Sequence, residues 1–289
     1  MRRVLIAGCG YVGRETARLF SEAGWDVTGL VRSEESVSLL SGAPFRVLSC
    51  DISDASATRD LLPDYKGSEL VIHCASSSRG GADSYRRVYL EGARNLMALQ
   101  PAKFIFTSST SVYPQENGEC VTEDSAANPE RETGQILRET EDLVLAHAGG
   151  IVARLAGIYG PGRSILLKRF FEGNAVIEGQ GERLLNQIHR DDAASALYSL
   201  GTNGSTSGIY NVSDDQPLSQ LECYSWLAEH FHRPIPPFGP VDTERKRGVT
   251  SKRVSNARLK EIGWQPRFTS FMRAVAEDKD LLAGNFGSK

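Results

Sequence analysis

The stretch Arg3–Phe20, R-V-L-I-A-G-C-G-Y-V-G-R-E-T-A-R-L-F, decides the fold of this chain. Its apolar run predicts a strand that is buried on both faces, as in a parallel sheet. The run leads into a G-x-G-x-x-G turn and then into apolar residues at helical spacing. This order of strand, glycine turn and helix is the context in which the motif binds a dinucleotide, and an ordinary glycine-bearing turn is the alternative. The predicted contacts in the turn are Gly8, Gly10, Tyr11, Val12 and Gly13.

The composition excludes several classes of protein. The chain has 289 residues and a net charge of −3, which gives no reason to expect nucleic acid or an anionic membrane as a partner. No apolar run approaches the roughly 20 residues of a membrane helix. The five cysteines are scattered and form no C-x-x-C pair, which fits a reducing cytoplasm and argues against structural zinc. We therefore expect a cytoplasmic protein without a bound metal.

The second predicted strand, Asp26–Val31, bears on the choice of cofactor. In a dinucleotide fold an acidic residue at its end would bind the ribose hydroxyls of NAD. This strand ends in Arg32 and Ser33 instead. Because a guanidinium can pair with a 2′-phosphate through two hydrogen bonds, the substitution favours NADP, with NAD as the alternative. An exposed arginine beside a helix that is capped by Ser33 is the other interpretation.

Further strands and helices alternate along the chain. Strands are predicted at Phe45–Leu48, Val71–Cys74 and Lys103–Thr107, and helices at Tyr85–Leu99 and Glu130–Ala148. This alternation predicts an α/β fold with a doubly wound parallel sheet, whose ligands lie beyond the carboxyl ends of the strands. The predicted cofactor contacts at those ends are Asp51, Ile52, Cys74, Ala75, Ser76 and Thr107.

The stretch Thr107–Tyr113, T-S-S-T-S-V-Y, resembles a motif of the extended short-chain dehydrogenases/reductases, the group of nucleotide-sugar epimerases and dehydratases. The resemblance runs nearly end to end and implies a Rossmann domain that binds NAD(P). The other segments that resemble this family are Arg154–Pro161, Ile188–Asp192, Ile209–Val212 and Lys252–Pro266.

The resemblance implies a catalytic serine, tyrosine and lysine. A tyrosine that titrates near 10 needs a cationic neighbour before it can act as a base at neutral pH. Ser109 matches the serine, but registering the next helix on Glu141 puts Thr133 at the tyrosine position and Leu137 at the lysine position. The chain contains no other Tyr-x-x-x-Lys, and Tyr89 replaces a usual helical asparagine of the family.

Two interpretations of the missing pair stay open. In the first, another group transfers the proton, and Tyr89, Tyr113 and Tyr159 are the candidates, although each also suits a packing role. The chain would then be an NAD(P)-dependent oxidoreductase or an epimerase/dehydratase-like enzyme for a small hydroxylated, anionic substrate such as a nucleotide sugar. In the second, the chain binds NADP as a sensor or regulatory protein without turnover.

The resemblance also divides the chain. It implies a dinucleotide-binding domain at residues 1–160, to which 186–213 return, and a smaller, partly interleaved C-terminal substrate domain at 161–289. The implied substrate contacts are Tyr113, Tyr159, Arg247 and Arg253, and the two arginines fall where the family places arginines against a diphosphate. An exposed run of charge is the alternative for that basic stretch. We expect a monomer or a homodimer.

Overall fold

The computed structural model describes residues 2–77, 80–203, 207–242 and 250–285. The strands in these residues are β1 (Arg3–Ala7), β2 (Asp26–Val31), β3 (Arg46–Ser49), β4 (Leu70–His73), β5 (Lys103–Ser109), β6 (Glu119–Val121), β7 (Gly150–Leu155), β8 (Gly157–Tyr159), β9 (Ile177–Glu178), β10 (Leu184–Leu185), β11 (Gln187–His189), β12 (Gly208–Val212), β13 (Leu218–Ser219), β14 (Phe238–Gly239) and β15 (Lys252–Val254). Seven of them form the main sheet, in the order β12-β7-β5-β4-β1-β2-β3.

The strand order is that of a doubly wound fold. β1 lies between β2 and β4 and pairs with both in parallel, so that Leu5 is aligned with Thr28 on one side and with Val71 on the other. The pairings of β2 with β3 and of β4 with β5 are parallel as well. Because β1 and β4 are buried on both faces, their apolar runs show no alternation. The predicted doubly wound α/β fold is confirmed.

The helices connect these strands. They are α1 (Gly13–Glu22), α2 (Glu34–Ser38), α3 (Ala55–Arg59), α4 (Leu62–Tyr65), α5 (Ala82–Tyr85), α6 (Gly92–Met97), α7 (Glu132–Leu145), α8 (Ile165–Phe171), α9 (Arg190–Thr202), α10 (Gln220–His230), α11 (Ala257–Glu261), α12 (Phe271–Glu277) and α13 (Lys279–Asn285). A π-helical turn, Arg86–Glu91, joins α5 to α6, and a 3₁₀ turn, Thr110–Val112, follows β5. Within the described ranges, no helix combines the length and the apolar character needed to cross a bilayer.

Two predicted helices differ from the observed ones. The helix expected at Tyr85–Leu99 begins three residues earlier, at Ala82, and contains the π-helical turn in its middle. Its apolar spacing alone carries no signal for that extra residue per turn. The helix expected at Glu130–Ala148 is shorter, because Arg131 is still extended at the N-cap position and the helix ends at Leu145.

The chain forms two compact units that alternate along the sequence. The first is built from described residues within Met1–Val112, Ala127–Arg154 and Ala194–Tyr210, and the second from those within Tyr113–Ala126, Leu155–Ala193 and Asn211–Lys289. That residues 1–160 bind the cofactor and residues 161–289 bind the substrate stays a prediction.

The second unit has its own apolar core. α8, α10 and α12 contribute buried aromatic and aliphatic side chains to it, among them Tyr224 and Phe271. A capping box begins α10, since the Ser219 hydroxyl accepts from the Glu222 N–H while the Glu222 carboxylate accepts from the Ser219 N–H. This cap fixes where the chain enters the helical core.

Candidate functional site

The glycine turn after β1 is packed against the loop that follows β4. Gly8 has a φ of 90°, and a Cβ added there would lie 2.2 Å from the backbone nitrogen of Ala75. A Cβ on Gly13 would lie 2.3 Å from the carbonyl oxygen of Gly8. Gly10 differs, because a Cβ there would meet nothing within 4 Å. Two glycines are therefore required by packing, whereas the third leaves open space beside the backbone.

The turn leads directly into α1. The Gly10 N–H donates to the Gly8 carbonyl at 2.7 Å, and the Arg14 N–H donates to the Gly10 carbonyl at 2.9 Å. α1 begins at Gly13 with no side chain capping its N-terminus. A helix N-terminus with uncapped N–H groups and the positive end of its dipole favours a phosphate, and the open space at Gly10 lets one approach. The geometry of the turn fits the pyrophosphate of a dinucleotide.

The cysteines at this edge of the sheet are poor nucleophiles. Cys9 lies inside the glycine turn and is buried, which raises the pKa of its thiol to about 12. Burial also raises the pKa of Cys74, which follows β4. Because thiolate is the reactive form, both residues act here as small apolar side chains at neutral pH.

The side chains at the end of β2 are exposed. Ser33 is the N-cap of α2, and its hydroxyl accepts from the Ser36 N–H at 3.4 Å, so the predicted cap is confirmed. Arg32 is exposed and has neither a hydrogen bond nor an ion pair to any residue in the described part of the chain. Its guanidinium is therefore available for a ligand at the carboxyl end of β2.

Beyond β3, the predicted contacts fall into two environments. Asp51 is half-buried, and its Oδ1 accepts from both the N–H and the hydroxyl of Ser53, at 2.9 and 2.7 Å. Ile52 is buried, its carbonyl accepts from the Asn95 amide, and its Cδ1 would lie 2.9 Å from a Cβ on Gly92. Thus Asp51 keeps one carboxylate oxygen for a ligand, whereas Ile52 packs into α6.

The loop after β4 closes this edge of the sheet. Cys74 and Ala75 are half-buried and Ser76 is exposed. The Cys74 N–H donates to the Ala7 carbonyl at 2.7 Å, which keeps the loop beside β1. Thr107 lies two residues before the end of β5 rather than at its end, and its hydroxyl donates to the His73 carbonyl at 3.0 Å. These contacts place the predicted cofactor residues of β1, β4 and β5 along one edge.

The predicted catalytic positions are occupied by groups that cannot form the usual pair. The hydroxyl of Ser109, at the end of β5, accepts from the Ser111 N–H at 3.1 Å. Thr133 is half-buried in the first turn of α7, and Leu137 is buried one turn later. A threonine hydroxyl and an aliphatic side chain supply neither a phenol nor a cation. The assignment of these positions to the tyrosine and the lysine stays a prediction.

A buried ion pair fixes α7 to the sheet. Glu141 of α7 and Arg154 of β7 are 0% and 1% exposed, and Arg154 Nη2 donates to Glu141 Oε2 at 2.6 Å. Arg154 Nε donates to Glu141 Oε1 at 3.1 Å, and Ser108 and Arg138 donate to the same carboxylate. The sequence carried a signal for this pair, because an arginine in the fully buried strand G-I-V-A-R-L requires a buried acid.

Tyr113 and Tyr159 are buried in the second unit. The Tyr113 hydroxyl donates to Asn211 Oδ1 at 2.8 Å, and its ring is 0% exposed. The hydroxyl of Tyr159 has no hydrogen-bond partner in the described part of the chain. Burial, with Asp214 and Asp192 nearby, raises the pKa of Tyr159 well above its usual value. The structure gives Tyr113 a packing role, and a substrate role for either residue stays a prediction.

The basic stretch divides into a buried and an exposed residue. Lys252 is buried, contrary to the expectation of an exposed charge run, and donates to the Tyr113 carbonyl at 2.9 Å. Its burial lowers its pKa to about 8. Arg253 is exposed and donates to the Gly118 carbonyl. Arg247, the other predicted substrate contact, lies outside the described residues.

The His189 element has a structural role. The Asp192 carboxylate accepts from the N–H groups of Arg267 and Phe268, at 2.7 and 3.0 Å. His189 is buried, and its Nε2 lies 3.1 Å from Asp278 Oδ2. Within the described part of the chain no group of three or more His, Cys, Asp or Glu side chains could hold a metal ion. Asp192 thus joins α9 to the segment before α12, and His189 joins β11 to the residue that follows α12.

The parallel sheet and its glycine turn define a protein of the Rossmann fold. Residues 4–213 match the model of the NAD dependent epimerase/dehydratase family, so the chain belongs to that family. Among curated relatives, Protein YeeZ of Escherichia coli K12 is 29% identical over 283 residues, which cover 93% of this chain and 97% of YeeZ.

Solved structures agree with this assignment. One of them is an NAD-dependent epimerase/dehydratase, by its description, from Methylobacillus flagellatus. It is 28% identical to this chain, with a TM-score of 0.77, and the match covers 98% of both chains. The UDP-glucose 4-epimerase of Thermotoga maritima, solved with UDP-glucose, is 21% identical with a TM-score of 0.81, also over 98% of both chains. At that identity the second likeness concerns the fold alone.

Proposed function

We propose that this chain is an NAD(P)-dependent enzyme of the oxidoreductase or epimerase/dehydratase type that acts on a small hydroxylated substrate. The observation that carries the proposal is the glycine turn, where packing requires Gly8 and Gly13 while Gly10 leaves room for a phosphate. The backbone N–H groups of Val12 and Gly13 at the start of α1 hold the pyrophosphate, and the bound cofactor supplies or accepts a hydride. Asp51, Ser76 and Thr107 line the rest of the same edge.

We further propose a preference for NADP over NAD. Arg32 supports it, because this exposed guanidinium lies at the strand end where NAD-specific proteins carry an acid. A bidentate pair with the 2′-phosphate contributes on the order of 1.5–3 kcal/mol, or about tenfold or more in affinity.

Calorimetry with NADP and NAD tests this preference. The wild type should bind NADP at least about tenfold more tightly than NAD, and Arg32→Ala should bind both alike. Arg46→Ala is the matched control. Arg46 is also exposed, but it is the first residue of β3 and so lies at the amino ends of the strands, away from the proposed cofactor site. Equal affinities of the wild type for both cofactors would remove the argument from Arg32 and leave the dinucleotide site intact.

The substrate class is proposed from the family. A hydroxylated, anionic compound such as a nucleotide sugar suits the second unit, where Arg253 is exposed and Arg247 precedes it in sequence. The Thermotoga maritima epimerase was solved with UDP-glucose, and MoeE5, a structural neighbour, with UDP-glucose and NAD. Mass spectrometry of small molecules released from the purified protein, followed by thermal shift with those compounds, tests this class. Stabilisation by NADP together with uncharged sugars alone would argue against an anionic substrate.

A second function is NADP binding without turnover, as a sensor or regulatory protein. The observation that favours it is the pair Thr133 and Leu137 at positions where the family uses a tyrosine and a lysine. Enzyme and sensor are distinguished by incubating the protein and NADP(H) with the compounds that it releases, and by following both the NADPH absorbance and the compounds by NMR. Net oxidation of NADPH, or conversion of a compound with the absorbance unchanged, supports the enzyme. Tight binding with neither change supports the sensor. Either protein would work in the cytoplasm, as the five unpaired cysteines suggest.

A further inference from the structure

The π-helical turn Arg86–Glu91 brings a tyrosine to the loop after β4. Tyr89 lies in this turn and is 9% exposed. Its hydroxyl accepts from the Ser77 N–H at 3.4 Å. Ser77 belongs to the same loop as Ala75, whose backbone packs directly on Gly8 of the glycine turn. Single π-helical turns inside α-helices occur frequently at functional sites, where they displace one side chain from its regular position.

Within the described residues, three polar groups in this region have hydrogen-bonding capacity that is not used. The Tyr89 hydroxyl accepts a hydrogen bond, but no described residue accepts its own proton. The Ser77 hydroxyl and His73 Nδ1 are buried and have no hydrogen bond within the described part of the chain. Buried polar atoms are nearly always paired with protein, water or a ligand. The cluster formed by His73, Ser77 and Tyr89 therefore has unused hydrogen-bonding capacity beside the glycine turn.

The protonation state of His73 is fixed by its surroundings. His73 Nε2 lies 3.0 Å from the Val88 carbonyl oxygen, which can only accept, so Nε2 carries the proton. Burial lowers the pKa of His73 to about 4, so the imidazole is neutral at pH 7. Its Nδ1 is then a bare acceptor. The imidazole stacks against the Tyr89 ring, with centroids 6.3 Å apart and planes at 26°.

We propose that Tyr89 is the proton donor and acceptor of this site, in place of the tyrosine that the family carries at the position of Thr133. The inference rests on the proposed function, since it requires bound NADP(H). As the substrate carbonyl carbon receives the hydride with its electron pair, the carbonyl π pair moves to oxygen. That oxygen takes the phenol proton, the O–H bond of Tyr89 breaks, and the phenolate regains a proton from water. Alcohol oxidation reverses each of these transfers.

The geometry separates Tyr89 from the other tyrosines that the sequence offers. The hydroxyl of Tyr113 is committed to Asn211, and the hydroxyl of Tyr159 lies among carboxylates in the second unit. A phenol that must become phenolate is disfavoured beside carboxylates, because like charges raise its pKa. Only Tyr89 among these three lies in the unit that contains the glycine turn.

The test measures the Tyr89 phenol directly and needs no substrate. Full-length protein labelled with tyrosine carrying ¹³C at Cζ is titrated by NMR towards alkaline pH, once with saturating NADP⁺ and once with NADPH. The Tyr89 signal is identified by its absence from Tyr89→Phe. Since oxidised nicotinamide is cationic and reduced nicotinamide is neutral, the Tyr89 pKa should be lower by about 1 unit or more with NADP⁺. The internal control is Tyr65, whose hydroxyl donates to Thr28 and should titrate alike in both states.

Each outcome decides the matter. A redox-dependent shift of Tyr89 with an unchanged Tyr65 supports the inference. Binding of both cofactors with identical Tyr89 titrations overturns it and leaves the proposed function standing. Failure to bind either cofactor removes the proposed function and the inference with it. Should Tyr89→Phe not fold, single phenylalanine variants of the other eight tyrosines assign the Tyr89 signal by elimination.

Discussion

The glycine turn and the start of α7 lie in the same unit, yet they relate differently to the family pattern. The turn keeps its three glycines. At two of them, Gly8 and Gly13, an added Cβ would lie only 2.2 and 2.3 Å from a backbone atom, so no larger residue fits. The start of α7 carries Thr133 and Leu137 at the positions that we predict to match the family's tyrosine and lysine. Both regions are well formed, and only the turn carries the residue types that the resemblance to the family predicts.

The difference shows which features the fold enforces. At Gly8 any side chain overlaps the backbone of Ala75, so the residue cannot change unless the loop after β4 moves. On α7 the position of the helix is enforced by the buried pair of Glu141 and Arg154, which does not depend on residues 133 and 137. Catalytic side chains on such a helix can therefore be replaced without loss of the fold.

The largest expected effect concerns the anchor of α7. Glu141→Gln should lower the free energy of unfolding by about 3–5 kcal/mol, because Arg154 is left buried without its counter-charge. Urea unfolding followed by circular dichroism measures it. Glu139→Gln is the matched control on the same helix, since Glu139 forms exposed ion pairs with Arg86 and Arg94 and should cost less than about 1 kcal/mol. Equal effects of the two variants would show that the buried pair does not anchor the helix.

Two glycines of the turn should differ in what they control: Gly8 the stability of the fold, and Gly10 the affinity for the cofactor. Gly8→Ala should destabilise the protein by about 3 kcal/mol, because alanine is strained at a φ of 90° and overlaps Ala75. Gly10→Ala should leave stability nearly unchanged and weaken cofactor binding, since its methyl group enters the space left for the pyrophosphate. Unfolding curves and calorimetry on both variants measure this contrast. Unchanged cofactor affinity in Gly10→Ala would contradict the proposed position of the phosphate.

The buried histidine beside this edge predicts a pH dependence. The pKa of His73 is lowered from 6.5 to about 4 in the folded protein, so below pH 6.5 the unfolded chain binds a proton that the folded protein does not. Stability is therefore retained above pH 6.5 and lost as the pH falls, by about 2.5 kcal/mol at pH 4.5. The measurement is the free energy of unfolding of wild type and His73→Gln between pH 7 and 4.5. Parallel pH curves of the two proteins would mean that His73 is protonated in the fold.

The smallest effects are expected at Thr133 and Leu137, which stand at the predicted catalytic positions. Thr133→Ala and Leu137→Met should each change the free energy of unfolding by less than about 1.5 kcal/mol and leave cofactor affinity unaltered. Thr133 is only half-buried, and the change of the buried Leu137 to methionine conserves its volume. Neither variant should abolish a native activity, whereas Ser109→Ala should reduce it. A total loss in Thr133→Ala with cofactor affinity intact would show that the threonine takes part in the chemistry.

The sequence predicts the sheet and the turn well, because both follow from short-range patterns. The run before Gly8 and the glycine spacing are local, and the structure bears out the fold that they predict. Helix ends are less predictable, since no capping side chain marks Arg131 as the extended residue before α7. The burial of Lys252 depends on β15 pairing with the distant strand β6, which no local pattern encodes.

The candidate site is predictable only in part for the same reason. The glycines and Arg32 could be named from the motif and the strand end. The cluster of His73, Ser77 and Tyr89 could not, because it depends on a π-helical turn and on a contact across 12 residues. Helical periodicity gives no sign of an inserted residue, and the tautomer of His73 is decided by a single carbonyl oxygen.

The order of strands in the main sheet has a consequence for synthesis of the chain. β7 lies between β5 and β12, and β12 begins only at Gly208, more than fifty residues after β7 ends at Leu155. On the ribosome, the outer edge of β7 is therefore unpaired while that intervening chain is made. An unpaired apolar strand edge is a template for aggregation. We expect nascent chains truncated before Gly208 to bind chaperones, and release to coincide with the arrival of β12.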